Sequence, residues 1–285
     1  MNYIDFKKKL DRLKSDNRHG AIYIEKSLFK IFIKAARELK RSDFKKLVEY
    51  SANWPTVMAN ILNLIDNVQK YIQHPENDMI SYLRSLQDDI LTARDKLCGK
   101  AASIIKRYKS IVTISASGLV YESIHKTIKM GWRGAVFVAE SRPVLEGKSL
   151  AVSLAESPIR IVYGTDCQVL SMLDDVNAAF IGADLISSRY FINKTGTSAL
   201  LSCLDSKKKV YILADSSKYY DFPDKIVIPE MPPSEVWPHH PDRVKIVNRY
   251  FEKVSFHKNL VFINESECIN SDKLKKYLEK RQLLG

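Results

Sequence analysis

Ser110-Ile111-Val112-Thr113-Ile114, then a helical stretch over 121–130, then Gly134-Ala135-Val136-Phe137-Val138-Ala139: this passage decides the fold. Two short β-rich runs flank an amphipathic helix, which is the grammar of a strand, a crossover and a parallel strand. The pattern recurs downstream. Arg160-Ile161-Val162-Tyr163, Ala178-Ala179-Phe180-Ile181, Lys209-Val210-Tyr211-Ile212-Leu213-Ala214 and Leu260-Val261-Phe262-Ile263 all read as strands. Helical stretches at 168–174 and 197–206 lie among them. Apolar strands alternating with helices imply a parallel sheet covered on both faces, so the expected class is α/β, a Rossmann-like doubly wound parallel sheet over 106–285.

Upstream the period changes. Ile24, Leu28, Ile31, Phe32 and Ala35 recur at three- and four-residue steps, as one buried helical face requires. Met58, Ile61, Leu62 and Ile65 do the same, as do Ile80, Leu83, Leu86, Ile90 and Leu91. Pro55 suits a first helical turn, where its missing N–H is not needed. The expectation is an N-terminal helical domain of four or five helices over 1–105. No heptad persists, which argues against a coiled coil.

The bulk properties bound the function. With 45% hydrophobic and 27% charged residues in 285, the chain has the profile of a folded protein with one large or two modest domains. No apolar run reaches the roughly 18–20 residues of a membrane span. The start, Met1-Asn2-Tyr3-Ile4-Asp5-Phe6, lacks the apolar core of an export signal. Cys98, Cys167, Cys203 and Cys268 form no CxxC pair and no zinc spacing, so they read as buried packing residues in a reduced, cytoplasmic setting. His239-His240 reads as part of an exposed loop; no motif calls for a metal or an organic cofactor. The net charge of +12 favours anionic partners. The lysines are scattered and no RNA- or DNA-binding signature is present, so nucleic acid is not the expected partner.

In open α/β sheets, ligands bind beyond the carboxyl ends of the strands. That rule selects Ser115-Ala116-Ser117-Gly118, Glu140-Ser141-Arg142-Pro143, Thr165-Asp166, Asp184 and Asp215-Ser216-Ser217-Lys218. Ser117 and Asp166 serve equally well as helix caps. Arg142, followed by proline, makes a poor cap and a good phosphate fork.

Gly182-Ala183-Asp184 followed by Asn193-Lys194-Thr195-Gly196-Thr197 resembles one superfamily. It contains the alpha, beta and delta subunits of translation initiation factor 2B, ribose-1,5-bisphosphate isomerase and methylthioribose-1-phosphate isomerase. Glu140-Ser141-Arg142-Pro143 with Glu146-Gly147, and the loop Arg18-His19-Gly20-Ala21, are similar to further segments of that family, and Trp54-Pro55-Thr56 resembles its RPT element with the arginine replaced. The resemblance implies a sugar-phosphate site. Arg142 would grip a phosphate, Asn193 and Lys194 would bind hydroxyls or phosphate oxygens, and Gly196 and Thr197 would offer backbone amides. Arg18, Gly20 and Ala21 would reach the ligand from the helical half.

In the isomerases of this family a carboxylate and a cysteine move the proton and hydrogen between C1 and C2. Asp184 matches the carboxylate, or is a structural aspartate bonded to the Asn193 or Thr197 backbone. Ser115 stands at the cysteine's place. A hydroxyl has a far higher pKa than a thiol near ~8.5, so that exchange weakens acid–base chemistry. The resemblance therefore implies a regulatory subunit that binds a phosphorylated sugar or nucleotide. It would pair with itself or related subunits and work with translation initiation factor 2. The alternative is a sugar-1-phosphate aldose–ketose isomerase working through Asp184.

Overall fold

The computed structural model describes residues 1–16, 19–73, 78–220 and 226–282. Five helices come first: α1 (Tyr3–Lys14), α2 (Ala21–Glu38), α3 (Arg41–Ala52), α4 (Ala59–Gln73) and α5 (Met79–Ile105). Local chemistry starts two of them. Asn2 and Asp5 form a reciprocal capping box on α1, and the Asp78 carboxylate accepts from the Ser81 N–H at the start of α5. The predicted apolar faces meet in one core, where Phe6, Leu10, Ile24, Leu28, Phe32, Leu47, Ile61 and Leu83 are all buried.

The α/β part follows as β1 (Ser110–Thr113), α6 (Gly118–Lys129), β2 (Ala135–Ala139), α7 (Glu146–Leu154), β3 (Arg160–Gly164), α8 (Asp166–Leu170) and β4 (Ala178–Gly182). Then come β5 (Leu185–Ile186), β6 (Phe191–Lys194), α9 (Thr197–Cys203), β7 (Val210–Leu213), β8 (Phe251–Val254), β9 (Leu260–Ile263), β10 (Cys268–Asn270) and α10 (Ser271–Gln282). The six predicted runs are β1, β2, β3, β4, β7 and β9. They form one parallel array in the order β9-β7-β4-β1-β2-β3, and β10 adds an antiparallel edge to β9. Every residue of β1, β4 and β9 is buried, because helices cover both faces. One face packs on α5, α6 and α7 through Leu97, Ala101, Ile105, Val120, Ile124 and Leu150. The other packs on α8, α9 and α10 through Val169, Leu200, Leu201, Leu274 and Leu278. Gly147 has a spatial reason to be glycine: a Cβ there would lie 1.8 Å from the Ala139 carbonyl oxygen.

Two features differ from expectation. β5, β6 and β8 make a separate antiparallel sheet that the periodicity does not announce, since β5 has only two residues and β6 and β8 interrupt their apolar residues with Asn193, Lys194, Glu252 and Lys253. The cysteines also divide: Cys98 is buried, whereas Cys167, Cys203 and Cys268 are exposed and are not packing residues. Among the described residues no helix is long and apolar enough to cross a membrane.

Candidate functional site

The strand order turns at β1, with β2 and β3 running out on one side and β4 and β7 on the other. At such a switch point the connections leave in opposite directions and open a crevice beyond the carboxyl ends. A cleft of about 760 Å³ lies there. Its floor is Ser115-Ala116-Ser117-Gly118 after β1 and Gly182-Ala183-Asp184 after β4, and its wall from the helical half includes Gly20 and Ala21 at the start of α2. β1 and β4 approach so closely that a Cβ on Gly182 would lie 2.7 Å from the Ser117 hydroxyl.

Backbone bonds on both sides fix Asp184. Its N–H donates to the Ile192 carbonyl at 2.8 Å, and its own carbonyl accepts the Ala59 N–H of α4 at 2.8 Å. Its side chain pairs with Lys218, Oδ1 to Nζ 3.6 Å, rather than with the Asn193 or Thr197 backbone. Burial pushes the Asp184 carboxyl above the usual carboxylate range, and the charges of Lys218 and Lys194 only partly oppose that. The folded state therefore holds the Asp184 proton more readily than the unfolded chain does. The resulting stability is full below the unfolded pKa, about 3.9, and is lost as pH rises through the raised folded value. Asp184→Asn, which cannot ionise, is expected to melt at a higher temperature than the wild type at pH 7, with the gap closing toward pH 4. Thermal melts at the two pH values check this; an equal or lower midpoint at pH 7 refutes it.

Lys218 belongs to a buried polar network that the sequence reading missed. Its Nζ donates to Asn60 Oδ1 at 3.0 Å, and Asn60 Nδ2 donates to Glu25 Oε1 at 3.1 Å and to the Ala21 carbonyl at 3.0 Å. Glu25 pairs with Arg94 at 2.6 Å, and Arg94 Nε donates to Asp215 Oδ2 at 2.9 Å. All five residues are buried. Arg94 overcomes desolvation of Asp215 and holds its carboxyl below the usual range. This chain of contacts ties α2, α4 and α5 to the segment after β7, beside Asp184. One signal was available: Ile90, Arg94, Leu97 and Ala101 follow helical spacing, so Arg94 occupies an apolar-face position that a charge fills only when paired.

The other expected residues divide. Ser115 lines the cleft in a left-handed conformation, φ 67°, and its N–H donates to Ser141 Oγ at 2.7 Å. Ser117 lines the cleft and also caps α6, accepting from the Val120 N–H. Asn193 lines it, its amide nitrogen donating to Thr197 Oγ1 at 3.0 Å. Lys194 is 2% exposed and sits behind the wall, paired at 2.8 Å with Glu146, which does line the cleft.

Gly196 and Thr197 point to different business. The Gly196 and Ser198 amides both donate to Glu252 Oε1 at 2.9 Å, so a carboxylate of the chain itself already occupies the start of α9. Thr197 is fully buried and donates to the Lys194 carbonyl. Asp166 accepts from the Ser141 and Arg142 amides at 2.8 and 2.9 Å and so shapes the turn after β2. Arg142 does not join Asp184. It is exposed, donates to the Val236 carbonyl at 3.3 Å, and lines a separate hollow with Ile226, Ile228 and Val247. Arg18 lies outside the described residues.

Cys98 lines the cleft, which its place in the sequence did not indicate. Burial pushes its thiol up to about 11, so it stays protonated near neutrality and is no substitute for a reactive thiol at position 115.

The profile described as the initiation factor 2 subunit family matches residues 26–264. A translation initiation factor eIF-2B subunit 2-like protein of Pyrococcus furiosus is 26% identical over 222 residues, covering 74% of this chain and 78% of that protein. The ribose 1,5-bisphosphate isomerase of Methanocaldococcus jannaschii is 20% identical over 240 residues, covering 82% and 77% respectively. The crystal structure of translation initiation factor eIF-2B from Pyrococcus horikoshii superposes with a TM-score of 0.80 at 24% identity, over 93% of this chain and 97% of that one, which shows a shared fold.

Proposed function

Because this chain belongs to the initiation factor 2 subunit family, we propose that it is a regulatory-type member that binds a phosphorylated sugar or nucleotide in the cleft at β1 and β4. One observation carries the reading: two long helices start at the same cleft. α2 begins at Gly20-Ala21, with no side-chain cap and no acid in its first turn. α6 begins at Ser117-Gly118, also without an acid in its first turn. The two starts touch, since a Cβ on Gly118 would lie 2.9 Å from Ile22 Cδ1. Helix N-termini carry partial positive charge and unpaired N–H groups, so a pair of them favours an anion between them. The hydroxyls of Ser115 and Ser117 add donors, and Asp184 supplies an acceptor for sugar hydroxyls.

Calorimetric titration with ribose 1,5-bisphosphate and with adenosine monophosphate tests this. Saturable binding of at least one of them is expected. Ser117→Asp keeps a good cap for α6 but places a carboxylate between the two helix starts, and should weaken binding about tenfold or more. Binding that is absent from the wild type, or unaffected by Ser117→Asp, rejects the assignment.

A second reading, as a sugar-1-phosphate isomerase, rests on Asp184. A carboxyl that burial raises above the usual range, in the same cleft as Ser115, suits proton transfer. Pairing with a second copy or a related subunit also belongs to the proposal. Exposed Val227, Val236, Trp237 and Val247 in the neighbourhood of Arg142's hollow support it, and a monomer by light scattering at micromolar concentration would remove it.

A further inference from the structure

Glu146 is the first residue of α7 and lines the cleft, while Lys194 lies behind it. Lys194 Nζ is 2.8 Å from Glu146 Oε1 and 5.0 Å from the centre of the Tyr250 ring, so its charge is already answered from two directions. The second oxygen of the same carboxylate, Oε2, is buried and accepts no hydrogen bond. An acceptor left so is costly, and a donor that reached it would be rewarded. The Asn193 amide nitrogen, for its part, is committed to Thr197.

We propose that Glu146 sets the charge selectivity of the cleft: it engages Lys194 as an internal counter-ion, so the part of the ligand that reaches this end is an uncharged, hydroxyl-bearing group and not a phosphate. This rests on the reading that the cleft takes a sugar phosphate, and it fixes the direction of the ligand. A phosphate at this end would have to displace Glu146 from Lys194 or lie against a carboxylate, and like charges in contact are strongly disfavoured. A sugar hydroxyl can donate to the Glu146 carboxylate, whereas a phosphate dianion has no proton to give. The phosphate then lies at the other end of the cleft, at the starts of α2 and α6. A monophosphate fits this polarity; a bisphosphate places its second group where Glu146 stands. Glu146 is thus a specificity residue, and Lys194 is a cation held in reserve.

The test compares ribose 5-phosphate with ribose 1,5-bisphosphate by calorimetry, for the wild type, Glu146→Gln and Glu146→Gln/Lys194→Met. Glutamine keeps the shape and a hydrogen bond to Lys194 but removes the charge; circular dichroism checks that each variant is folded. The expected result is a gain of about tenfold or more in bisphosphate affinity relative to monophosphate in Glu146→Gln, reversed in the double variant. Glu146→Ala, which removes both oxygens, should show the same gain. A change below about twofold overturns the proposal, including the case in which no variant binds either compound. Failure of the cleft reading is seen separately, in the wild type alone. If the wild type binds nothing but Glu146→Gln binds the bisphosphate, selectivity by Glu146 stands and the proposed function of the native chain falls.

Discussion

Arg94→Ala is expected to lower the stability of the chain by roughly 3–5 kcal/mol, because it leaves two buried carboxylates without their shared cation. Glu25 and Asp215 are each 1% exposed, and Arg94 bridges them at 2.6 and 2.9 Å. They come from distant parts of the chain, one on α2 and the other just after β7. Losing the guanidinium forces one carboxylate to take up a proton or the segment to open to water. The Asp215 carboxyl is held below its usual range by Arg94, so this part of the stability is present above the unfolded carboxyl pKa and is lost as pH falls through the lowered folded value. Urea unfolding at pH 7 measures the effect, and a loss below about 1 kcal/mol would show that the network is not a structural lock. The same loss should be smaller near pH 3, where an Asp215 left without its cation takes up a proton. A further check uses the coupling to the site: Asn60 joins Glu25 to Lys218, which faces Asp184. Destabilising the network should therefore weaken ligand binding before global unfolding is complete.

That lock was largely invisible in the sequence, and the reason is physical. Strands and helices announce themselves through periods of two and 3.6 residues over a local window. The six parallel strands and the helical half were therefore legible, and the carboxyl-end rule singled out residues 115–118 and Asp184, but the switch point at β1 follows from a strand order that no local pattern encodes. Glu25, Asn60, Arg94, Asp215 and Lys218 are brought together only by the tertiary fold, and no local period marks their pairing. Arg142 shows the converse limit. Its neighbour Ser141 is turned inward and buried, holding the Ser115 amide, while the Arg142 side chain is turned away toward Val236. A motif places a residue near a strand end, but one step along the chain decides which side it faces. Gly196 illustrates a third limit: a helix start reads as an anion site, and here Glu252, fifty-six residues later, already fills it.

Ser115→Cys is expected to raise the turnover of methylthioribose 1-phosphate, a monophosphate, to its ketose by about 100-fold or more over the wild type, the scale of one general acid–base group. The position is prepared for such a group. Ser115 already adopts the left-handed backbone that the turn after β1 requires, so cysteine introduces no new strain. The Ser141 hydroxyl holds its amide, and the side chain lies in the same cleft as Asp184. What serine lacks is a proton that leaves readily. A thiol near pKa ~8.5 exchanges its proton at neutral pH, and a hydroxyl does not. Asp184, whose carboxyl burial has raised, supplies the partner group, so adding Asp184→Asn to Ser115→Cys should abolish whatever turnover the thiol creates. Phosphorus and carbon NMR follow the aldose and ketose directly. If Ser115→Cys binds the monophosphate and produces no ketose, the cleft lacks more than a thiol. Its shape and the Glu146–Lys194 pair then suit holding a ligand and not converting it, and the regulatory reading stands without the enzymatic one. If the wild type already turns the substrate over, the serine is not the defect it resembles, and proton transfer must run through Asp184 and Lys218, 3.6 Å apart.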